Sequence, residues 1–383
     1  MRILILVFHF PPISGGGSVV SFDLASTFAE LGHDVTVLVP DLEWKGERYE
    51  PKINSKINVI RVETPSRSNL KLAARRCYPN LKRKGEELGR KEKFDFVFTI
   101  FHPFHLVPYA AVSCGKSLGI PVMVKIDDAV YEKSSGLKVI QRRIEKIYSS
   151  KTLNDANILF VSNPDTRDLV SSYYKVPKER IRIIPNGVNL SLFHIHNSER
   201  KRIVVFSGMM YYHRGLDILL EASAKVVTKL PDSKFVLLGE GPELVRLRGE
   251  VKKKNLTSNV EFKGWVERSF IPSYLASSAI GIGPLRCTNV TKNVLPIKVL
   301  EYMASSLPIL AVKGTLTNDV LINGYNGYII ENSDELAKKI IELLENEKVR
   351  QEMGLKSAEM ASRFDWRNIV QTIINEYEKI KNQ

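Results

Sequence analysis

The feature that most constrains this chain is an alternation. Short apolar runs of strand length are each followed by a stretch whose apolar residues recur at helical spacing, and the series runs through the chain twice. Residues 2–8 form an apolar run broken only by Arg2, the mark of a central strand buried on both faces. A glycine loop follows, then Val19, Val20, Phe22, Leu24, Phe28 and Leu31 at roughly helical spacing, stopped by Gly32. Further strands are expected at 35–39, 94–100, 122–126, 158–161 and 181–184. The pattern then restarts, with strands at 203–207, 235–239, 260–263, 280–284, 309–312 and 328–330. Between them lie helices at 216–229, 244–254, 271–277 and 296–305. A βαβ series predicts an open, mostly parallel sheet. Two series predict two doubly wound α/β domains: residues 1–195 and 196–362, with a C-terminal helix over 363–383 packing back on the first domain. Open sheets of this kind bind ligands beyond the carboxyl ends of their strands, so a cleft between the two sets of strand ends is the expected site.

Composition agrees with two cores. The chain has 383 residues, 44% of them hydrophobic, which is too long for one typical domain. No apolar run reaches bilayer-spanning length, and residues 1–7 lack the basic start and cleavage site of a signal peptide. Cys77, Cys114 and Cys287 are scattered and odd in number, which suggests neither a disulfide framework nor a zinc site and fits a reducing cytoplasm. The formal net charge is +14, and residues 67–93 carry ten Lys or Arg against three Glu. A second basic stretch holds Lys138, Arg142, Arg143, Lys146 and Lys151. Either a solvated helix face or peripheral contact with an anionic membrane accounts for such charge. Leu70, Leu72, Ala73, Ala74, Tyr78 and Leu81 lie among the cations of 67–93, so an amphipathic surface is expected there.

Three places carry chemistry. Gly15, Gly16 and Gly17 sit between the first strand and the first helix, where backbone can approach a ligand and a helix N-terminus favours an anion. The second series repeats the plan: a strand ends at Ser207-Gly208, and Arg214 lies on the loop before the next helix, able to pair with a diphosphate. The third place is residues 283–311, where a strand ends at Pro284 and a long polar loop leads to Pro296. Lys298 and Glu301 stand three apart at the start of the helix that follows, on one face. The lysine suits phosphate and the carboxylate suits paired ribose hydroxyls. A surface salt bridge between them is the alternative.

Six runs, in order, resemble retaining glycosyltransferase family 4. They are H-F-P-P-I-S-G-G-G-S at 9–18, D-A-N-I-L-F-V-S at 155–162, I-I-P-N-G-V-N at 183–189, L-L-G-E-G-P at 237–242, F-K-G-W-V at 262–266 and P-I-K-V-L-E-Y-M-A-S-S-L-P-I at 296–309. The resemblance covers nearly the whole chain. It implies the GT-B fold and a retaining, metal-independent transfer of sugar from a nucleotide-diphosphate-sugar to a glycan, lipid-linked or small-molecule acceptor, with no cofactor.

By that resemblance Gly15, Gly16 and Gly17 touch the donor, and Gly208 opens the phosphate loop. Arg214 stands at the family's phosphate-binding Lys. Glu301 is the second Glu of its E-x7-E motif and holds the ribose. Backbone at Val294, Leu295, Pro296 and Ile297 faces the sugar and diphosphate, and Trp265 lies near the base. Two positions depart from the family. Asn293 replaces the first motif Glu, and Met209 replaces a phosphate-binding Arg. Lys298 is the preferred substitute cation, with Lys292 and Arg286 as alternatives. In the first domain Asp128 is the first catalytic candidate, Asp127 the second and His102 the third; His102 and His105 follow the strand at 94–100, where a His either binds acceptor or donor or is structural. Neither aspartate forms a D-x-D metal motif. Two readings compete: a GT-B nucleotide-sugar epimerase, which needs a placed carboxylate pair, and a nucleic-acid-binding protein. The latter has only the charge in its favour, with no recognised module, so no nucleic-acid partner is expected.

Overall fold

The computed structural model describes residues 1–43, 48–127, 137–193, 200–288 and 291–382. Two compact units emerge. One comprises Met1–Asn186 with Trp366–Gln383, the other Gly187–Asp365.

In the first unit the strands are β1 (Arg2–Leu6), β2 (Asp34–Pro40), β3 (Ile57–Val62), β4 (Phe96–Phe101), β5 (Val122–Ile126), β6 (Ile158–Val161) and β7 (Ile181–Ile183). They form one sheet in the order β3-β2-β1-β4-β5-β6-β7, every pair parallel. Beyond Arg2, β1 is fully buried, which is why its sequence reads as an unbroken apolar run. Thr99 enters this core because its hydroxyl donates to the Leu6 carbonyl at 2.7 Å.

β3 is the strand that sequence reading misses. Asn58 and Arg61 interrupt its apolar run, and it can carry them because it is an edge strand with only part of its surface buried. The last helix, Trp366–Lys381, belongs to this unit. Trp366 Nε1 donates to Asp23 Oδ2 at 3.2 Å, Arg182 pairs with Glu376 at 2.9 Å, and Tyr377 packs on Phe96.

In the second unit the strands are β8 (Ile203–Ser207), β9 (Lys234–Leu238), β10 (Val260–Gly264), β11 (Ile280–Ile282), β12 (Ile309–Val312) and β13 (Gly327–Ile330). Their order is β10-β9-β8-β11-β12-β13, again all parallel. The helix expected at 296–305 runs Ile297–Ala304, with extended Pro296 as its N-cap residue.

Both sheets reverse their winding direction once, between β1 and β4 and between β8 and β11. Loops leaving those strands diverge to opposite faces, and the crevice between them is where open sheets bind ligands.

The basic segment 67–93 does not present the expected amphipathic surface. It folds as helices Leu70–Arg76 and Tyr78–Lys91. Ala73, Ala74 and Leu81 are buried in the core, and Leu70, Leu72 and Tyr78 are half-buried. Three of its apolar residues are spent inward, and none of its leucines or aromatics is fully exposed.

Candidate functional site

The crevice of the second unit is built from the loops after β8 and β11. A turn over Tyr212–Arg214 follows β8, closed by Gly215 in the left-handed region at φ 71°. A Cβ at Gly215 would stand 2.8 Å from the Leu285 carbonyl carbon, so only glycine lets the two loops touch. They are sewn together by the Leu285 amide donating to the Arg214 carbonyl at 3.1 Å. Arg286 is the strut. It donates to Asp217 Oδ2 at 2.6 Å and to the Tyr212 carbonyl at 3.1 Å, with its guanidinium over the Tyr212 ring. That engagement removes Arg286 from the cations available for a phosphate.

Lys298 is different. Its Nζ lies 3.6 Å from the centroid of the Phe206 ring, is shielded from solvent, and has no hydrogen-bond acceptor among the described residues. A Cβ on Gly208, whose φ is 128°, would meet this side chain at 3.6 Å, so the glycine keeps backbone and ammonium close. Burial, and then the Arg214 guanidinium nearby, hold the Lys298 ammonium well below its ordinary range, opposed by Glu301. The fold thus brings Gly208, Arg214, Lys298 and Glu301 together. Lys292, by contrast, is exposed.

Glu301 is buried and pairs with Arg268 at 3.5 Å, not with Lys298. Sequence reading does not find Arg268, because it lies 33 positions from its partner in a turn with no motif of its own. Asn293 takes a left-handed φ of 48°, and its amide donates to the Gly314 carbonyl, as that of Val294 does to Thr315. These bonds pin the strand-like run into Pro296. Leu295 is buried. Ile297 and Lys298 open the helix, where first-turn amides have no intrahelical acceptor and favour an anion. Trp265 is half-buried on the loop after β10.

Among the described residues, the crevice of the first unit is lined by imidazoles where the second has Lys298 and Arg214. Gly15 precedes the helix Gly16–Glu30 with φ 126°, and Gly15 to Gly17 are exposed at its N-terminus. Beside them stand three imidazoles. His9 follows β1, and His102 and His105 follow β4. The rings of His102 and His105 stack at 4.3 Å, and His9 lies 5.5 Å from His105 and 6.4 Å from His102. A Cβ on Gly17 would sit 3.3 Å from His9 Nδ1, which places the glycine loop against this cluster. Burial, then the charge of His102, lowers His9 to about 4. The same causes and His9 itself lower His105 to about 2. His102 Nδ1 is 2.8 Å from the Pro103 carbonyl, so in the neutral ring Nδ1 donates and Nε2 keeps the lone pair. The sequence signal for His9 was its position just past a central strand.

Asp127 accepts from Lys125 Nζ at 2.6 Å, and Lys125 is fully buried. Its carboxylate neutralises an interior cation. Asp128 lies outside the described residues. Among those described, no cluster of His, Cys, Asp or Glu could hold a metal ion, and no helix is long and apolar enough to cross a membrane.

Two family profiles match the chain end to end. Glycosyltransferase Family 4 matches residues 14–192, and Glycosyl transferases group 1 matches residues 191–360. The chain is 28% identical over 228 residues to an uncharacterized glycosyltransferase of Methanocaldococcus jannaschii, covering 58% of this chain and 61% of that protein. It is 24% identical over 398 residues to the N-acetyl-alpha-D-glucosaminyl L-malate synthase of Bacillus anthracis, covering 99% and 97%. Among solved structures, sucrose-phosphate synthase from Thermosynechococcus elongatus superposes with a TM-score of 0.77 at 17% identity, covering 100% of this chain and 99% of that one. Anabaena HepE in complex with UDP-glucose gives 0.73 at 17%, covering 99% and 100%. The two profiles, the full-length relative and the shared GT-B fold together place this chain in glycosyltransferase family 4.

Proposed function

We propose that the chain transfers a sugar from a nucleoside-diphosphate-sugar to a sugar or lipid-linked acceptor, with retention at the anomeric carbon and without a metal. The observation that carries this reading is the second-unit crevice. There the buried ammonium of Lys298, without an acceptor among the described residues, lies close to Arg214 beside a helix N-terminus. A buried ammonium crowded by a second cation fits a diphosphate, whose oxygens supply the acceptor that Lys298 lacks among the described residues. Family membership and the likeness to HepE holding UDP-glucose support the same donor class.

In the reaction the bond from the anomeric carbon to the diphosphate oxygen breaks, leaving its electron pair on that oxygen. The acceptor oxygen bonds to the anomeric carbon on the same face, and its proton passes to the departing diphosphate. Arg214, Lys298 and the first-turn amides of Ile297 and Lys298 stabilise the charge that develops on the leaving group. Glu301, held by Arg268, turns its carboxylate to the ribose hydroxyls. His102 presents Nε2 to a sugar or acceptor hydroxyl and orients it. The contact of residues 67–93 with an anionic surface would be electrostatic only, since their apolar side chains face inward.

A thermal-shift screen of UDP-, GDP- and ADP-sugars tests the donor class, because a ligand specific to the folded state raises the melting temperature. One nucleotide series should shift it. No shift with any of them would overturn the reading. Activity on the matching donor should survive EDTA, and loss restored by manganese or magnesium would overturn metal independence.

A further inference from the structure

The helix Leu137–Asp155 is built inside out over residues 139–151, and only its last turn sends an apolar side chain, Leu153, into the core. A surface helix normally turns its apolar stripe to the core and its polar face to water. Here the buried positions include Glu145, only 7% exposed, with Ser149 and Thr152. Ser149 donates to Glu145 at 2.5 Å and Thr152 to the Tyr148 carbonyl at 2.9 Å, so the helix satisfies much of its inward polarity itself. The outward stripe is Ile140, Ile144, Ile147 and Tyr148, with Val139 at its edge. Ile147 is 70% exposed and Ile140 57%. At 3.6 residues per turn these four share one face.

Charge tells what covers that stripe. Arg143 and Lys151 are exposed within its borders, and Lys146 lies beside it over the Tyr173 ring. The acidic residues of the helix are both withdrawn: Glu145 points inward, and Asp155 is held by Lys116 at 2.8 Å. The outward face therefore combines branched apolar side chains with positive charge alone. A stripe of five apolar side chains also falls well short of the ~20–30 residues a side that a standard protein interface uses. We propose that this helix docks the first unit on an anionic lipid bilayer, with Ile140, Ile144, Ile147 and Tyr148 entering the acyl boundary and Arg143 and Lys151 at the phosphates. This surface is distinct from residues 67–93, which carry more charge but no outward apolar face, and the inference does not depend on the donor chemistry.

Co-sedimentation of the full chain with vesicles of phosphatidylglycerol and phosphatidylcholine in equal parts, against pure phosphatidylcholine, tests it. The wild type should bind the anionic vesicles only, and less at high salt. Ile144→Glu with Ile147→Glu, and separately Arg143→Glu with Lys151→Glu, should each lower partitioning by about tenfold or more. Both pairs are exposed, so melting temperature and circular dichroism should stay as in the wild type. Should the isoleucine pair misfold, Ile147→Trp decides: its added fluorescence should shift to the blue on anionic vesicles and stay unshifted on neutral ones. The proposal is overturned by any of three results. One is equal binding to both vesicle types or to neither. Another is binding that survives the isoleucine changes but is abolished by reversing Arg75, Arg76, Lys82 and Arg83. The third is a dimer in vesicle-free solution that Ile147→Glu dissociates.

Discussion

The two winding reversals of this molecule occupy the same place in two sheets of the same design, yet they are furnished with opposite chemistry. Between β8 and β11 stand Lys298, whose ammonium is shielded from water, and the half-buried Arg214 close by. Between β1 and β4 stand His9, His102 and His105, of which burial keeps His9 and His105 neutral at physiological pH. Both crevices add a helix N-terminus and a glycine with positive φ, Gly15 in one and Gly208 in the other. The backbone thus supplies the same scaffold twice, and the side chains decide what each will hold. An ammonium shielded from water with no acceptor among the described residues suits an anion. Neutral imidazoles with an available lone pair suit hydroxyl groups. On the proposed reading the second unit suits the donor's diphosphate, and the first suits hydroxyl groups.

The largest effects will come from the ion pairs that brace each crevice. Arg268→Ala removes a buried ion-pair partner of the Glu301 carboxylate, and Asp127→Ala removes that of Lys125. Each should cost about 3–5 kcal/mol in urea unfolding. Replacing Arg268 and Glu301 together with apolar residues should cost less than removing Arg268 alone. If Arg268→Ala is neutral, Glu301 is not braced as described.

Lys298→Met breaks the comparison at its centre. It should lower the affinity for a nucleoside diphosphate by about 1.5–3 kcal/mol, the worth of a charged hydrogen bond. Because it removes a desolvated cation crowded by Arg214, the ligand-free protein should melt no lower than the wild type. A large drop in melting temperature would make Lys298 structural instead.

A pH titration sharpens the other side. His9 and His105 have folded-state values below the ~6.5 of an unfolded chain. Below that pH the unfolded chain binds protons that the folded one refuses. Stability is unaffected by them above about pH 6.5 and falls with pH below it, toward about 4 for His9 and toward about 2 for His105. Between pH 6.5 and 5 either imidazole should cost up to about 2 kcal/mol. His9→Phe or His105→Phe should flatten the melting profile in that window. An unchanged profile would mean these rings are already protonated when folded.

The smallest effect on stability is expected from Gly16→Ala. A Cβ there meets nothing within 4 Å, so unfolding should change by less than about 0.5 kcal/mol. Turnover should fall if the glycine lets a ligand approach, and unchanged turnover would remove Gly16 from the site.

How much of this could be read from sequence depends on whether the cause was local. The two parallel sheets follow from runs such as 2–8 and 203–207, whose unbroken apolarity is imposed by burial on both faces. Lys298 and Glu301 were legible because they share one helix face behind a long polar loop. Three features were not. β3 is an edge strand, so Asn58 and Arg61 dilute its apolar signal. Arg268 finds Glu301 only through tertiary packing. The helix Leu137–Asp155 has a helical period that reveals an amphipathic stripe but not which side faces the core, and here the usual assumption points the wrong way. Residues 67–93 mislead for the matching reason: their apolar side chains were visible, and the cores that absorb them were not.

The central claim is that Lys298, a buried ammonium held below its ordinary range, makes a diphosphate site together with the half-buried Arg214 beside it. Calorimetric titration with UDP at about pH 8.5, in two buffers of different ionisation enthalpy, tests it most directly. A diphosphate favours the charged form of the ammonium that burial disfavours, so its arrival draws Lys298 toward protonation. The wild type should therefore take up protons on binding, and its affinity should fall as pH rises. Lys298→Met should bind more weakly and take up none. UDP binding with the same affinity and the same proton balance in both proteins would contradict the account.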